Sequence, residues 1–236
     1  MRHRFFLPTL ETGRVRFSPE QAHQIRTVLR LRPGDRVCVF DGREPIDHVV
    51  ELASPTEGRI VDQAPQAPEP RTCLVACPAL LPRDKFEQVL QKLTEVGVSA
   101  IQPVVTARAL VREQPDEHRL TRWRAILREA TEQSGRGRVP DLRRAHWFPH
   151  VIANAEGTLL VAAAGVPGLS IRAALAQARH TISFVVGPEG GFEPDEIDSA
   201  RRAGARVVSL GPRTLRAETA SPVLAALVLY EQGELA

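Results

Sequence analysis

The sequence is short of several residue types, and each shortage excludes something. Only three cysteines occur, Cys38, Cys73 and Cys77. An odd number offers no disulfide framework, and Cys73 and Cys77 share one apolar run with no third or fourth ligand nearby, which argues against zinc. All three are expected as reduced thiols filling the interior. No cluster of His, Cys or acids points to any other metal. No run approaches the roughly eighteen uninterrupted apolar residues of a membrane span. The opening residues, MRHRFFLP, lack the apolar core of a signal peptide. A cytoplasmic protein without a membrane partner is expected. No Gly-Lys-Ser/Thr follows a glycine loop and no Gly-x-Gly-x-x-Gly opens a helix, so ATP and NAD are poor candidates for the ligand. Lysine is scarce too. Of 31 Lys and Arg residues only Lys85 and Lys92 are lysine, which leaves 29 arginines. The two stand seven apart on one predicted helix, hence on one face.

With 236 residues and 43% hydrophobic content, the chain can build one large domain or two small ones. Its formal charge of +3 hides an uneven distribution. Residues 1–36 carry eight Arg against Glu11, Glu20 and Asp35, whereas residues 37–70 carry Arg43 and Arg59 against seven acids. Such a split predicts a basic face turned toward a polyanion. Residues 1–68 read as a small β-rich domain. Ser18-Pro19-Glu20-Gln21 opens a helix that the spacing of Ala22, Ile25 and Leu29 extends to about Leu31. Strands are expected at Arg36–Phe40, Ile46–Leu52 and Arg59–Val61. The proline-rich stretch DQAPQAPEPR, residues 62–71, reads as a semi-rigid linker.

From residue 72 to 236, strands and helices alternate, which predicts a mainly parallel α/β sheet. Strands are expected at Thr72–Ala76, Ala100–Val105, Thr158–Ala163, Thr181–Val186 and Arg206–Leu210. Helices are expected at Arg83–Val96, Asp116–Gln133, Ser170–Arg179 and Glu193–Ala203, followed by a terminal Ala/Leu-rich helix. The chain converges on residues 181–220. Gly187-Pro188-Glu189-Gly190-Gly191 continues neither strand nor helix, and Leu210-Gly211-Pro212 forms a second break before Leu215–Ala220. Two glycine-bearing loops thus leave the ends of successive strands, where open α/β sheets bind ligands. The glycines either make turns or clear space for a ligand close to the backbone.

VVGPEGGFEPDEI followed by SLGPRTLRAETA closely resembles the paired C-terminal motifs of the SPOUT-class RNA methyltransferases, and within them the family that methylates N3 of a uridine in bacterial 16S rRNA. Further matches are Lys92-Leu-Thr-Glu-Val-Gly-Val-Ser-Ala-Ile-Gln-Pro103, Glu132-Gln-Ser-Gly-Arg-Gly-Arg-Val-Pro140, and Val28-Leu29-Arg30 with Pro33-Gly34-Asp35. Gln24 departs from the pattern, standing where many relatives carry His. The resemblance implies a PUA-like β-barrel ahead of an α/β domain with a deep trefoil knot, a homodimer, and S-adenosylmethionine (SAM) as methyl donor without a metal. It implies 16S rRNA in the small ribosomal subunit as partner. The implied cofactor site is Gly187, Pro188, Glu189, Gly190, Gly191, Leu210, Gly211, Leu215, Arg216, Thr219 and Ala220, with Val161 or its neighbour walling one side. Arg216 is the expected active side chain, held either at the methyl acceptor or in a salt bridge to Glu218. Glu189 either orders its loop or accepts a proton. Arg2, Arg4, His23, Arg26, Arg30, Lys85, Lys92, Arg136 and Arg138 are the expected RNA contacts. Ala225–Tyr230 either pairs two copies or is buried within one. Two alternatives stay open: a SPOUT enzyme for another RNA position, and a non-catalytic RNA-binding assembly factor of the same fold.

Overall fold

The computed structural model describes residues 3–10, 13–178 and 180–235, so Arg2 lies outside the described residues. The chain forms two compact units, one of Met1–Glu69 with Arg128–Val139, the other of Pro70–Leu127 with Pro140–Ala236.

In the first unit, β1 (Arg4–Phe6), β2 (Arg14–Arg16), β3 (Arg36–Phe40), β4 (Ile46–Ser54) and β5 (Glu57–Pro65) form a sheet ordered β1-β3-β4-β5-β2. β1 runs parallel to β3, and the other pairs are antiparallel. Alternating residues bury Phe5, Val15, Val37, Val39, Val50 and Leu52 in one core. Two register shifts along β4 and β5 add twist to the sheet. β5 runs on to Pro65, so the first four residues of the expected linker are strand.

Helix α1 (Pro19–His23) starts where expected, with Ser18 and Gln21 completing a capping box. It does not continue regularly to Leu31. The backbone widens, with Leu29 N–H donating to Gln24 O and Leu31 N–H to Ile25 O, and Arg30 turns to a φ of 54°. In a regular helix Leu31, six residues after Ile25, points away from Ile25's face. The wider turn brings Ile25, Leu29 and Leu31 to the same core. His23, Arg26 and Arg30 remain exposed.

Two residues expected at the RNA surface are instead interior. The Arg4 guanidinium donates to both oxygens of Asp47 at 2.7 and 2.8 Å and to the carbonyls of Thr131 (3.2 Å), Glu132 (3.4 Å) and Arg136 (3.0 Å). It also lies 4.4 Å above the Phe40 ring. A helix end leaves carbonyls without intrahelical partners, and Arg4 satisfies those of α3 (Glu117–Ser134). Arg136 is 6% exposed and bonds Glu69, whose carboxylate also accepts from the amides of Gly137 and Arg138. The Arg138 side chain stays exposed.

The second unit holds β6 (Cys73–Pro78), α2 (Arg83–Val96), β7 (Ala100–Ile101), β8 (Val104–Val105), β9 (Asp141–Leu142), β10 (His146–Trp147), α4 (Phe148–Ala153), β11 (Thr158–Ala162), α5 (Ile171–Leu175), β12 (Thr181–Val186), α6 (Pro194–Arg202), β13 (Arg206–Val208) and α7 (Ala217–Glu231), with the start of α3. Its main sheet is all parallel and ordered β13-β11-β12-β6-β7-β9. Val75, Cys77, Val161, Val185 and Val207 bury one face under α4 and α6. Alternate residues face the other side, where α7 packs on β6, β12, α2 and α5. Gly97 ends α2 at φ 114°. The expected strand Ala100–Val105 is broken at Gln102-Pro103, so its first half pairs with β6 and its second with β10. The Ser170–Arg179 helix stops at Leu175; Arg179 lies outside the described residues. All three cysteines are free, and burial pushes the Cys77 thiol up to about 12. No helix among the described residues is long and apolar enough to cross a membrane.

Two outcomes are expected from the first unit. Arg4→Ala strands Asp47, itself 6% exposed, and lowers the unfolding free energy by about 3–5 kcal/mol in urea titration, whereas exposed Arg14→Ala changes it by less than about 0.5 kcal/mol. Burial raises the Glu132 pKa, although its carboxylate accepts from Phe6 N–H. The folded state therefore holds this proton more tightly than the unfolded chain, and stability from this group falls as pH rises through that window. Glu132→Gln keeps the acceptor and removes the ionisation. Its melting temperature should exceed that of the parent at neutral pH, and the gain should vanish as pH drops to the ordinary glutamate range.

Candidate functional site

Ala162 pairs with Val186 on one side and with Val208 on the other, so β11, β12 and β13 end at one level. Three loops leave these adjacent strand ends: Ala163–Gly165, Gly187–Phe192 and Ser209–Leu215. With Ala217 and Ala220 of α7 they line a cleft of about 240 Å³. This is the carboxyl-end crevice of an open parallel sheet.

Of the residues expected to hold a cofactor, Gly187, Pro188, Glu189, Gly191, Leu210, Gly211, Leu215 and Ala220 line the cleft. Gly190, Arg216 and Thr219 adjoin it in sequence without being among its walls. Of Val161 and its neighbour, the wall is the neighbour, Ala162, with the loop after it; Val161 is fully buried in the sheet core, because adjacent strand residues point to opposite faces.

The loop glycines have separate causes. Gly191 and Gly211 adopt φ of 69° and 104°, where a side chain is strained, and nothing lies within 4 Å of an added Cβ. A Cβ on Gly187 would meet the Phe192 ring at 2.9 Å, and Phe192 packs on Phe148 at 5.2 Å. At Gly190 the neighbour is the Arg108 side chain, 3.2 Å from an added Cβ. Arg108 clamps this loop. It donates to both oxygens of Glu193 at 2.9 and 3.0 Å and to Gly190 O at 3.1 Å. Ala107 N–H donates to Glu196, whose other oxygen accepts from Glu193 N–H and completes the cap of α6. The space expected for a ligand at Gly187 and Gly190 is thus taken by the protein itself.

Four charged side chains meet beside the cleft. Lys85 of α2 lies 2.5 Å from Glu189 and 3.9 Å from Glu218, and Arg216 lies 3.9 Å from Glu218. The hydrogen bond from Lys85 holds the Glu189 carboxyl below its usual range, and the same bond raises Lys85. Arg216 keeps 78% of its side chain exposed. Glu218 Oε2 is buried with no hydrogen-bond partner among the described residues. Lys92, two turns further along α2, is bonded to Glu95 at 2.9 Å.

Sequence reasoning missed Arg108, because its partner Glu193 is 85 residues away. It also missed Ala163-Ala164-Gly165 and Arg213. For the former a signal existed: small residues ending in glycine just after a strand.

Residues 68–229 match the model of the RNA methyltransferase domain family. The chain belongs to this family. A ribosomal RNA small subunit methyltransferase E of Synechocystis is 33% identical over 91% of this chain and 72% of its own length. The solved ribosomal RNA small subunit methyltransferase E of Neisseria gonorrhoeae, bound to S-adenosyl methionine, is 31% identical with a TM-score of 0.86 over 98% of both chains. A Legionella pneumophila protein, solved with the bound cofactor SAM, is 26% identical with a TM-score of 0.89, again over 98% of both chains.

Arg108→Ala should free the cleft loop without unfolding the family's α/β unit. Amide hydrogen exchange across residues 187–193 is expected to quicken about tenfold. The melting temperature should move little, since the Arg108–Glu193 pair is 45% exposed on both sides.

Proposed function

We propose that this chain transfers a methyl group from SAM to N3 of one uridine near the 3′ end of bacterial 16S rRNA, in the small ribosomal subunit. The cleft carries the reading. Apart from Glu189 and Arg213 its walls are uncharged, made of backbone, small side chains and a few apolar ones. Such a lining fits a flat purine between loops and leaves carbonyls for a sulfonium. Membership of the RNA methyltransferase family supports the chemistry, and the names of the relatives support the substrate. When bound, SAM supplies an electrophilic methyl group on a cationic sulfur.

Uridine N3 is protonated at neutral pH, so the chain's own residues must ease the loss of that proton and hold the base in line with the methyl. Arg216 suits this role, because its exposed guanidinium can fork onto a uracil oxygen and stabilise the charge that develops there. Glu189, kept ionised by Lys85, holds the loop. In this reading residues 1–68 are a PUA-like barrel that grips RNA phosphates through exposed His23, Arg26 and Arg30, and exposed Arg138 of the same unit adds a contact. The C-terminal loops form the trefoil knot. Two copies pair through Leu227 and Tyr230, which α7 leaves 37% and 60% exposed, whereas Ala225, Val228 and Leu229 are buried within the protomer.

Methyl transfer to small subunits that lack the modification tests this directly. N3-methylation blocks the Watson–Crick edge, so reverse transcription should stop beside a single uridine. Arg216→Ala should still bind SAM but lower the rate about a hundredfold. A stop at another nucleotide would refute the assigned target, and no transfer to subunits or to free rRNA would refute the substrate.

A further inference from the structure

We propose that the Arg213 guanidinium binds the carboxylate of SAM's methionine tail and so selects a cofactor that carries one; this rests on the cofactor reading above. Only two charged residues line the cleft, Glu189 and Arg213. The charge of Glu189 is compensated by Lys85 at 2.5 Å. Arg213 is exposed and, among the described residues, makes no hydrogen bond or ion pair. Its neighbours differ: Arg108 is forked onto Glu193, Arg206 donates to Ala174 O, and Arg216 lies 3.9 Å from Glu218. The cleft therefore presents one uncompensated positive charge.

The loop fixes the backbone that carries this charge. Gly211 turns at φ 104° and its N–H donates to Ser209 Oγ at 3.2 Å, while Pro212 fixes the backbone just before Arg213. SAM brings a sulfonium and an ammonium, both cationic, and a single anion, its carboxylate. A free guanidinium beside either cation is repelled, whereas at the carboxylate it gains a charge-assisted fork of two hydrogen bonds. The sign of the charges assigns Arg213 to the carboxylate end. An RNA phosphate is the other anion that this cation could meet, but Arg213 belongs to the wall of the cofactor cleft.

Calorimetric titration of the full chain with SAM and with decarboxylated SAM separates these cases. Arg213→Ala should weaken SAM about tenfold or more and leave decarboxylated SAM within about twofold. Arg213→Lys, which keeps the charge and loses the fork, should recover part of the SAM affinity. Equal losses for both ligands would overturn the proposal, because Arg213 would then act on loop shape. Unchanged SAM binding with weakened RNA binding would also overturn it, and would hand the guanidinium to a phosphate. A parent chain that binds neither ligand would remove the cofactor reading itself, an outcome distinct from failure at Arg213 alone.

Discussion

The site depends on the register of one strand. β11 is paired on both sides, and Ala162 is the last residue matched to Val186 and to Val208. That double match brings three loops to one level, and the cleft is the space they enclose. A slip by one residue would exchange the faces of β11, taking Val161 out of the core and changing the wall that Ala162 now forms. The pairing is stable because both faces of the sheet are covered: α4 and α6 lie over one, and α7 packs on β12 and β6 on the other.

The loops are shaped by the protein rather than left for a ligand to shape. Phe192 fills the space over Gly187, Arg108 fills the space against Gly190, and Glu196 accepts from the adjacent amides of Ala107 and Glu193. A loop ordered in advance loses less freedom when something binds. The charges follow the same pattern. Glu189 is answered by Lys85, Glu193 by Arg108, and Arg213 is left over.

Arginine serves opposite ends within this chain. Arg4, with 10% of its side chain exposed, and buried Arg136 are forked onto Asp47 and Glu69; Arg4 also donates to helix-end carbonyls, and Glu69 accepts from the loop amides of Gly137 and Arg138. Their planar guanidinium satisfies several acceptors at once, which an ammonium cannot. Arg26, Arg30 and Arg138 stay exposed. Composition and local charge register all of these as one basic group, and that is why Arg4 and Arg136 were expected on the surface.

Local rules in the sequence determined much of this protein. Ser18 with Gln21, Gly97 and Glu193-Pro194 marked helix ends through backbone groups that only nearby residues can satisfy. The β-branched run Thr181–Val186 and the breaks at Gly187 and Gly211 located two of the three cleft loops, and the motifs there announced the family. The wide turn after His23, the break at Pro103, the choice of Ala162 over Val161 for the cleft wall and the clamp from Arg108 were decided only by tertiary structure. Each rests on contacts between residues distant in sequence, or on which of two faces a strand turns to the core. Periodicity sets how often a face recurs, but only packing determines what lies opposite it.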